Sequence, residues 1–441
     1  MSSLAQVATA LQHVLTTVAD QAAQETGFVQ RVRKWTGALF VQTLVLGWLG
    51  NPAASLSELT QVAAKLGVSV SPQGLAQRFG EPAAKLLERV LRAAVEQVIA
   101  AEPVAVPLLQ RFTGVFILDG STIALPDGLA QVWAGCGGRV ARGTRAALKL
   151  AVRLDLGSGR LDGPVVTAGR SQDRASTLQH AAVPPGALRL ADLGFWSLEV
   201  FRRIGEAGAF WLSRLNLQVI VFATDGSRRD LPSWLAQQKG TRLDVPVRLG
   251  AALKLPARLL GVRVPAAVAA ERRRKLRAAA QREGTTPSQA TLALADWTLL
   301  VTNVPQEQLS VAEALVLARA RWQIELLFKL WKQHGQIDES RSRDPWRVLC
   351  EVYAKVTAMV IQHWILLVGC WLFADRSLVE AAKTVRKEAT CLAGAFRRHA
   401  RLVEALGAIR RCLSAGCQID HRKTKPSTFQ LLLDPALGGI S

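Results

Sequence analysis

Acidic side chains are in short supply in this chain of 441 residues: 34 Asp and Glu stand against 55 Lys and Arg, a formal charge of +21. The excess runs through the whole sequence and is not gathered in one tail, so the field it makes attracts polyanions. Cysteine is sparse too, and the six at 136, 350, 370, 391, 412 and 417 form no CxxC pair and no Cys/His spacing typical of zinc. Reduced core or surface thiols are expected. The first residues, MSSLAQVATALQHVLTTVADQ, lack both the basic start and the long apolar block of a signal peptide, so a cytosolic place is expected. No internal repeat or low-complexity tract is present. The apolar share of 49% excludes a disordered chain and is enough for a sizeable core in two or three domains.

One long apolar run does exist. Residues 356–373, VTAMVIQHWILLVGCWLF, are nearly long enough to span a bilayer, yet Thr357, Gln362 and His363 interrupt them and predict a buried core helix. A basic protein lying on a membrane surface is the rival that this segment keeps alive.

The order of elements predicts an α/β fold flanked by helical N- and C-terminal regions. Residues 1–104 read as helices, and LSELTQVAAKLGVSVSPQGLAQRF (56–79) has the spacing of a helix-turn-helix; reading DNA and simply packing two helices both remain open for it. Residues 105–225 change to the strand pattern: GVFILDG, a hairpin around Gly157, Ser158 and Gly159, ALRLADLG before a helix at 197–207, AFWLSRL and QVIVFAT. Residues 226–294 read as a β-rich insertion carrying the basic run ERRRKLR. DWTLLVTNVP resumes the strand pattern in a segment of 295–375, and 376–441 is helical again.

Three acids stand out by context. ARARWQIELLFKLWKQ (318–333) predicts one strong helix in which Arg321, Trp322, Phe328, Lys329 and Lys332 share the face of Glu325, while Ile324, Leu327 and Trp331 fall elsewhere. An ordinary solvated ion-pair ladder explains Glu325 as well as a functional role does. Asp119 is the first polar residue after Val115, Phe116, Ile117 and Leu118, and is expected to end a strand; Asp192 closes LRLA just before a helix. Each alone is a turn or N-cap acid. Together with Glu325 they make a carboxylate triad plausible, and three converging carboxylates hold a pair of divalent cations such as Mg²⁺, the equipment of phosphodiester chemistry.

With these residues in hand, the chain resembles the DDE transposases of the family founded on insertion sequence 4. That family carries its last acid in a helical motif of Tyr, two residues, Arg, three residues, Glu, six residues, Lys. Arg321, Glu325 and Lys332 match the spacing, with Ala318 in the tyrosine position; Asp119 in LDGST and Asp192 in ADLGF match the two aspartates, and the likeness spans roughly residues 110–360. The resemblance implies a ribonuclease-H-like catalytic core in two parts (105–225 and 295–375) around the insertion, with an N-terminal DNA-binding domain. It implies Asp119, Asp192 and Glu325 as catalytic metal ligands for two Mg²⁺, with Mn²⁺ able to substitute. Arg321, Lys329 and Lys332 would meet phosphates, and Trp297 and Trp322 would stack on a flipped base, although a core role for Trp297 is equally open. Arg273, Arg274 and Lys275 either follow the DNA backbone or form a solvated basic face. The partners implied are transposon ends and target DNA, with a homodimer on DNA and no membrane, in the cytoplasm near the nucleoid. A ribonuclease-H-like nuclease that cuts without joining, and an inactive DNA-binding derivative, are the rival readings.

Overall fold

The computed structural model describes residues 2–30, 35–136, 145–373, 375–419 and 426–435. Packing divides the chain into two compact units, each built from separate stretches. The first takes Met1–Ala105, Asp119–Leu178 and Gln323–Asp420; the second takes Val106–Leu118, Gln179–Trp322 and His421–Ser441.

The strands are β1 (Val115–Leu125), β2 (Ala146–Asp155), β3 (Leu161–Ala168), β4 (Leu188–Ala191), β5 (Phe210–Arg214), β6 (Val221–Phe222), β7 (Arg228–Arg229), β8 (Arg242–Leu249), β9 (Leu255–Arg263) and β10 (Trp297–Thr302). They are hydrogen-bonded in the mixed order β3-β2-β1-β4-β5-β10-β9-β8-β6-β7. The fold is mixed α/β with helical flanks. Two points differ from the sequence expectation. β1 does not stop at Asp119 but continues through STIAL to Leu125, because the alternation of buried Ile123 and Leu125 with the exposed Thr122 and Ala124 extends the strand pattern. QVIVFAT yields a strand of only two residues.

In the second unit β4 is parallel to both of its neighbours, with Val115↔Leu188 through Ile117↔Leu190 on one side and Leu188↔Phe210 through Ala191↔Ser213 on the other. All four residues of β4 are buried, as suits a strand enclosed by parallel partners. The crossover from β4 to β5 is the Leu198–Glu206 helix, started by the Ser197 side chain, which accepts from Val200 N–H. Its Phe201 stacks on Trp211 of β5 at 4.5 Å. β10 then joins antiparallel to β5 and β9, and β8 follows antiparallel to β9. Residues 226–294 contain β7, β8 and β9 and three helices, Leu231–Ala236, Ala266–Arg282 and Gln289–Leu294.

In the first unit β2 and β3 form the hairpin expected around Gly157–Gly159. Most of the long apolar run, residues 356–369, lies in the Pro345–Gly369 helix, 94% of whose most apolar window is buried. It packs against the Glu81–Glu96, Gly37–Gly50, Leu378–Ala395 and His399–Gly416 helices. The pattern at 56–79 becomes two short helices, Leu56–Lys65 and Pro72–Ala76, the second of only five residues.

Polar groups inside the long helix are used rather than tolerated. Lys355 Nζ donates to the carbonyls of Gln336 (3.2 Å) and Glu339 (2.7 Å), and lies 3.9 Å from Glu351; burial pushes its pKa down. His363 Nε2 donates to Gly159 O at 2.7 Å, and full burial pushes its pKa from 6.5 to about 4. The sign follows directly. A depressed folded pKa means that the unfolded chain takes up the proton first as pH falls, so stability is complete above pH 6.5 and is lost progressively between 6.5 and 4. The loss amounts to about 3 kcal/mol, taking about 1.36 kcal/mol for each pH unit of depression. His334, also depressed by burial, acts in the same direction. We expect urea midpoints measured at pH 7, 5.5 and 4.5 to fall steadily, with a distinctly flatter profile in His363→Gln; identical profiles would refute the assignment.

Candidate active site

Asp119 lies within β1, whose first residues pair in parallel with β4 in the second unit, and Asp192 directly follows β4. The last register pair between them is Ile117↔Leu190, and each aspartate lies two residues beyond its member of that pair. Asp119 is half-buried, and its Oδ1 accepts from Gly120 N–H at 2.8 Å. Space beside it is limited, since a Cβ at 120 would lie a tight 3.3 Å from Leu150 O and in ordinary contact with Asp173 Oδ1 at 3.6 Å. That carboxylate is itself engaged by Lys149 Nζ at 2.9 Å.

Asp192 occupies the N-cap position of a short 3-10 turn, Leu193–Phe195, but its side chain makes no capping hydrogen bond. The ordinary reason for an Asp at this position is therefore absent. Its Oδ1 instead faces Arg321 Nε at 3.7 Å. Within the second unit, then, the structure brings together the second aspartate and the arginine of the helical motif.

The motif itself is not the single helix its sequence predicts. An α-helix runs over Val311–Ala320, another over Trp322–Lys329, and Leu330–His334 widen into a π-helical turn. Such π turns recur at functional sites, because the extra residue per turn redirects the side chains that follow. Glu325 sits half-buried in the first turn of the middle segment, with Ile324 and Leu327 buried on its other side. Phe328, expected on the Glu325 face, is buried in edge contact with Trp331. Lys332, in the π turn, donates to Thr122 O at 2.9 Å and lies 3.9 Å from Asp338. This bond ties the segment that carries Glu325 to the strand that carries Asp119, within the first unit. Lys329 is exposed.

The two tryptophans part company. Trp322 is 52% exposed, whereas Trp297 is 6% exposed, with the Arg263 guanidinium 4.9 Å over its ring. Trp297 is thus packed in the hydrophobic core of the second unit. The basic run divides the same way. Arg273 pairs with Asp296 and points inward, as does Arg272, which donates to Trp297 O and Thr298 Oγ1. Arg274 and Lys275 are exposed and share Glu271. Lys355 escaped the sequence reading; its signal was a Glu351/Lys355 pair four apart within an apolar helix, and it clamps the turn just after Lys332.

Carboxylate oxygens are the donors that hard divalent cations take, and Asp119, Asp192 and Glu325 are chemically suited to them. Among the described residues, no group of three or more His, Cys, Asp or Glu side chains is gathered so as to hold a metal ion.

Residues 110–361, more than half of the chain and all of the residues above, match the family described as the transposase DDE domain, and the chain belongs to that family. Membership implies use of a divalent metal. The chain is 26% identical over 366 residues to the transposase for insertion sequence element IS231F of Bacillus thuringiensis subsp. israelensis, covering 78% of this chain and 76% of that protein. The transposase for IS231B of Bacillus thuringiensis subsp. berliner is likewise 26% identical over 373 residues, 79% and 77% of the two chains.

The contrast between the tryptophans is measurable. Trp297→Ala should destabilise the protein by about 3–5 kcal/mol in urea unfolding, as expected for a large core truncation. Trp322→Ala should leave stability within about 0.5 kcal/mol while weakening binding to DNA with an unpaired base by about 1–3 kcal/mol. Equal effects of the two on stability would contradict this placement.

Proposed function

We propose that this DDE transposase cleaves the ends of an insertion sequence and joins the freed 3′ ends to target DNA, from a ribonuclease-H-like core with Asp119, Asp192 and Glu325 as its acids. One observation carries the residue assignment. The two bases of the helical motif each reach toward an acid-bearing strand: Arg321 to Asp192 itself at 3.7 Å, and Lys332 to Thr122, three residues past Asp119, at 2.9 Å.

The chemistry divides simply. Divalent ions, two Mg²⁺ with Mn²⁺ as a substitute, supply charge neutralisation and Lewis acidity when bound by the three carboxylates. The chain's own residues do the rest. Arg321 neutralises Asp192 and positions a phosphate, Lys332 places a second cation beside the strand that bears Asp119, and Lys329 extends the basic face. Trp322 offers a stacking platform for an unpaired base. Water attacks the scissile phosphodiester at the element's end, the 3′ oxygen leaves, and that hydroxyl then attacks target DNA in line. Arg274 and Lys275 follow the phosphate backbone, with Arg273 anchoring their helix to the protein. Two ends must be held at once, so a homodimer forms on DNA. The protein works in the cytoplasm at the nucleoid, and residues 1–104 contribute DNA binding.

Ala318 favours a second reading, since the hydroxyl that the family's tyrosine provides is missing. An inactive derivative would bind DNA without cutting; a plain nuclease would cut without joining. Purified protein incubated with linear DNA carrying the gene's own flanks, in Mg²⁺ or EDTA, distinguishes all three on denaturing gels. We expect metal-dependent breaks at the element's ends and strand-transfer products. Glu325→Gln should abolish both while changing stability by less than about 1 kcal/mol, as for a partly exposed charge. Binding without cleavage in Mg²⁺ and in Mn²⁺ would sink the catalytic assignment, and cleavage without joined products would favour the nuclease.

A further inference from the structure

We propose that Gln179 is a positioning residue for Asp192, acting through the turn that carries this carboxylate; the inference rests on reading Asp192 as a metal-binding acid. Gln179 and Arg189 are buried polar residues of the second unit, 1% and 3% exposed. Arg189 lies on β4, three residues before Asp192. Its Nη1 donates to the Gln179 backbone carbonyl at 2.8 Å, and its Nη2 donates to Gln179 Oε1. Gln179 Nε2 in turn donates to Phe195 O at 2.9 Å. The amide can be oriented only this way, because a guanidinium only donates and a carbonyl only accepts.

The link ends where position matters. Phe195 N–H donates to Asp192 O at 3.0 Å, and Trp196 N–H to Leu193 O at 3.2 Å, closing the turn that begins at Asp192. A capping aspartate would ordinarily hold such a turn with its own side chain, but Asp192 makes no such bond. Gln179 bonds to the turn from behind, so the Asp192 carboxylate can stay pointed at Arg321 and solvent, with 38% of its side chain exposed. Burying an amide and a guanidinium costs free energy that only a full set of hydrogen bonds offsets. An apolar side chain at 179 would pack with less penalty, yet it would leave the Phe195 carbonyl unheld. Groups that hold metal ligands in place are typically worth about 10- to 100-fold in affinity or activity.

Gln179→Glu separates the two halves of the link. It keeps acceptor oxygens for Arg189 but presents no N–H to Phe195 O. In the metal-free full-length protein, we expect amide hydrogen exchange at Leu193–Trp196 to quicken about tenfold while exchange in β5 and the urea midpoint stay unchanged, as expected for local rather than global opening. Mn²⁺ binding by calorimetry should weaken on the order of 10- to 100-fold, and the Mn²⁺ needed for half-maximal cleavage should rise equally, with KM for DNA unchanged. Wild-type exchange and wild-type Mn²⁺ affinity in Gln179→Glu would overturn the inference. Should that variant not fold, Gln179→Asn, which withdraws the amide by one methylene, takes the same readouts. Asp192→Asn keeps the two failures apart: if it binds Mn²⁺ like the wild type, the metal reading of Asp192 falls, while the exchange result still decides whether Gln179 holds the turn.

Discussion

Three backbone pairings, Val115↔Leu188, Phe116↔Arg189 and Ile117↔Leu190, fix β1 against β4 in the second unit. Side chains alternate along a strand, so a slip of one residue would reverse which side chains face the core. The apolar stretches that precede the acids make such a slip expensive. Ile117 and Leu190 are each at most 1% exposed, and a shifted register would drive polar groups into that core. The strand that leads into the Asp192 turn is therefore secured by hydrophobic packing.

A second constraint is the treatment of buried polar groups. Arg189 with Gln179, Lys355 with the Gln336 and Glu339 carbonyls, and His363 with Gly159 all sit where apolar residues would pack with less penalty. Lys355 and His363 reach backbone carbonyls in a loop or turn, and Gln179, which holds Arg189, reaches the carbonyl of Phe195 in the turn after Asp192. Lys355 holds the turn after the π-helical segment, where Gln336 adopts the left-handed conformation at φ 46°. These bonds convert core rigidity into rigidity of connections, and connections are where the motif residues lie.

The large positive charge likewise has two uses. Arg258 pairs with Asp244 and donates to Val304 O and Leu309 O, and Arg273 pairs with Asp296, so part of the excess braces the protein. Arg274 and Lys275 remain at the surface, where a polyanion can meet them. Net charge alone overstates the surface available to DNA.

Much of this was legible in the sequence. Local signals suffice where the structure follows from local chemistry. The apolar runs that became β4, β5 and β10, the β2–β3 hairpin, the buried long helix and the spacing of Arg321, Glu325 and Lys332 are such cases. The sequence by itself determined which acids and bases this chain possesses and at what intervals. Tertiary structure alone decided that β1 runs on past Asp119, that the motif helix breaks at Arg321 and widens at Leu330, that Trp297 belongs to the core, and that Gln179 supports the turn after Asp192. The physical reason is common to all four: each depends on what lies across a strand or behind a turn, and a one-dimensional pattern of polarity does not carry the identity of a neighbour brought there by folding.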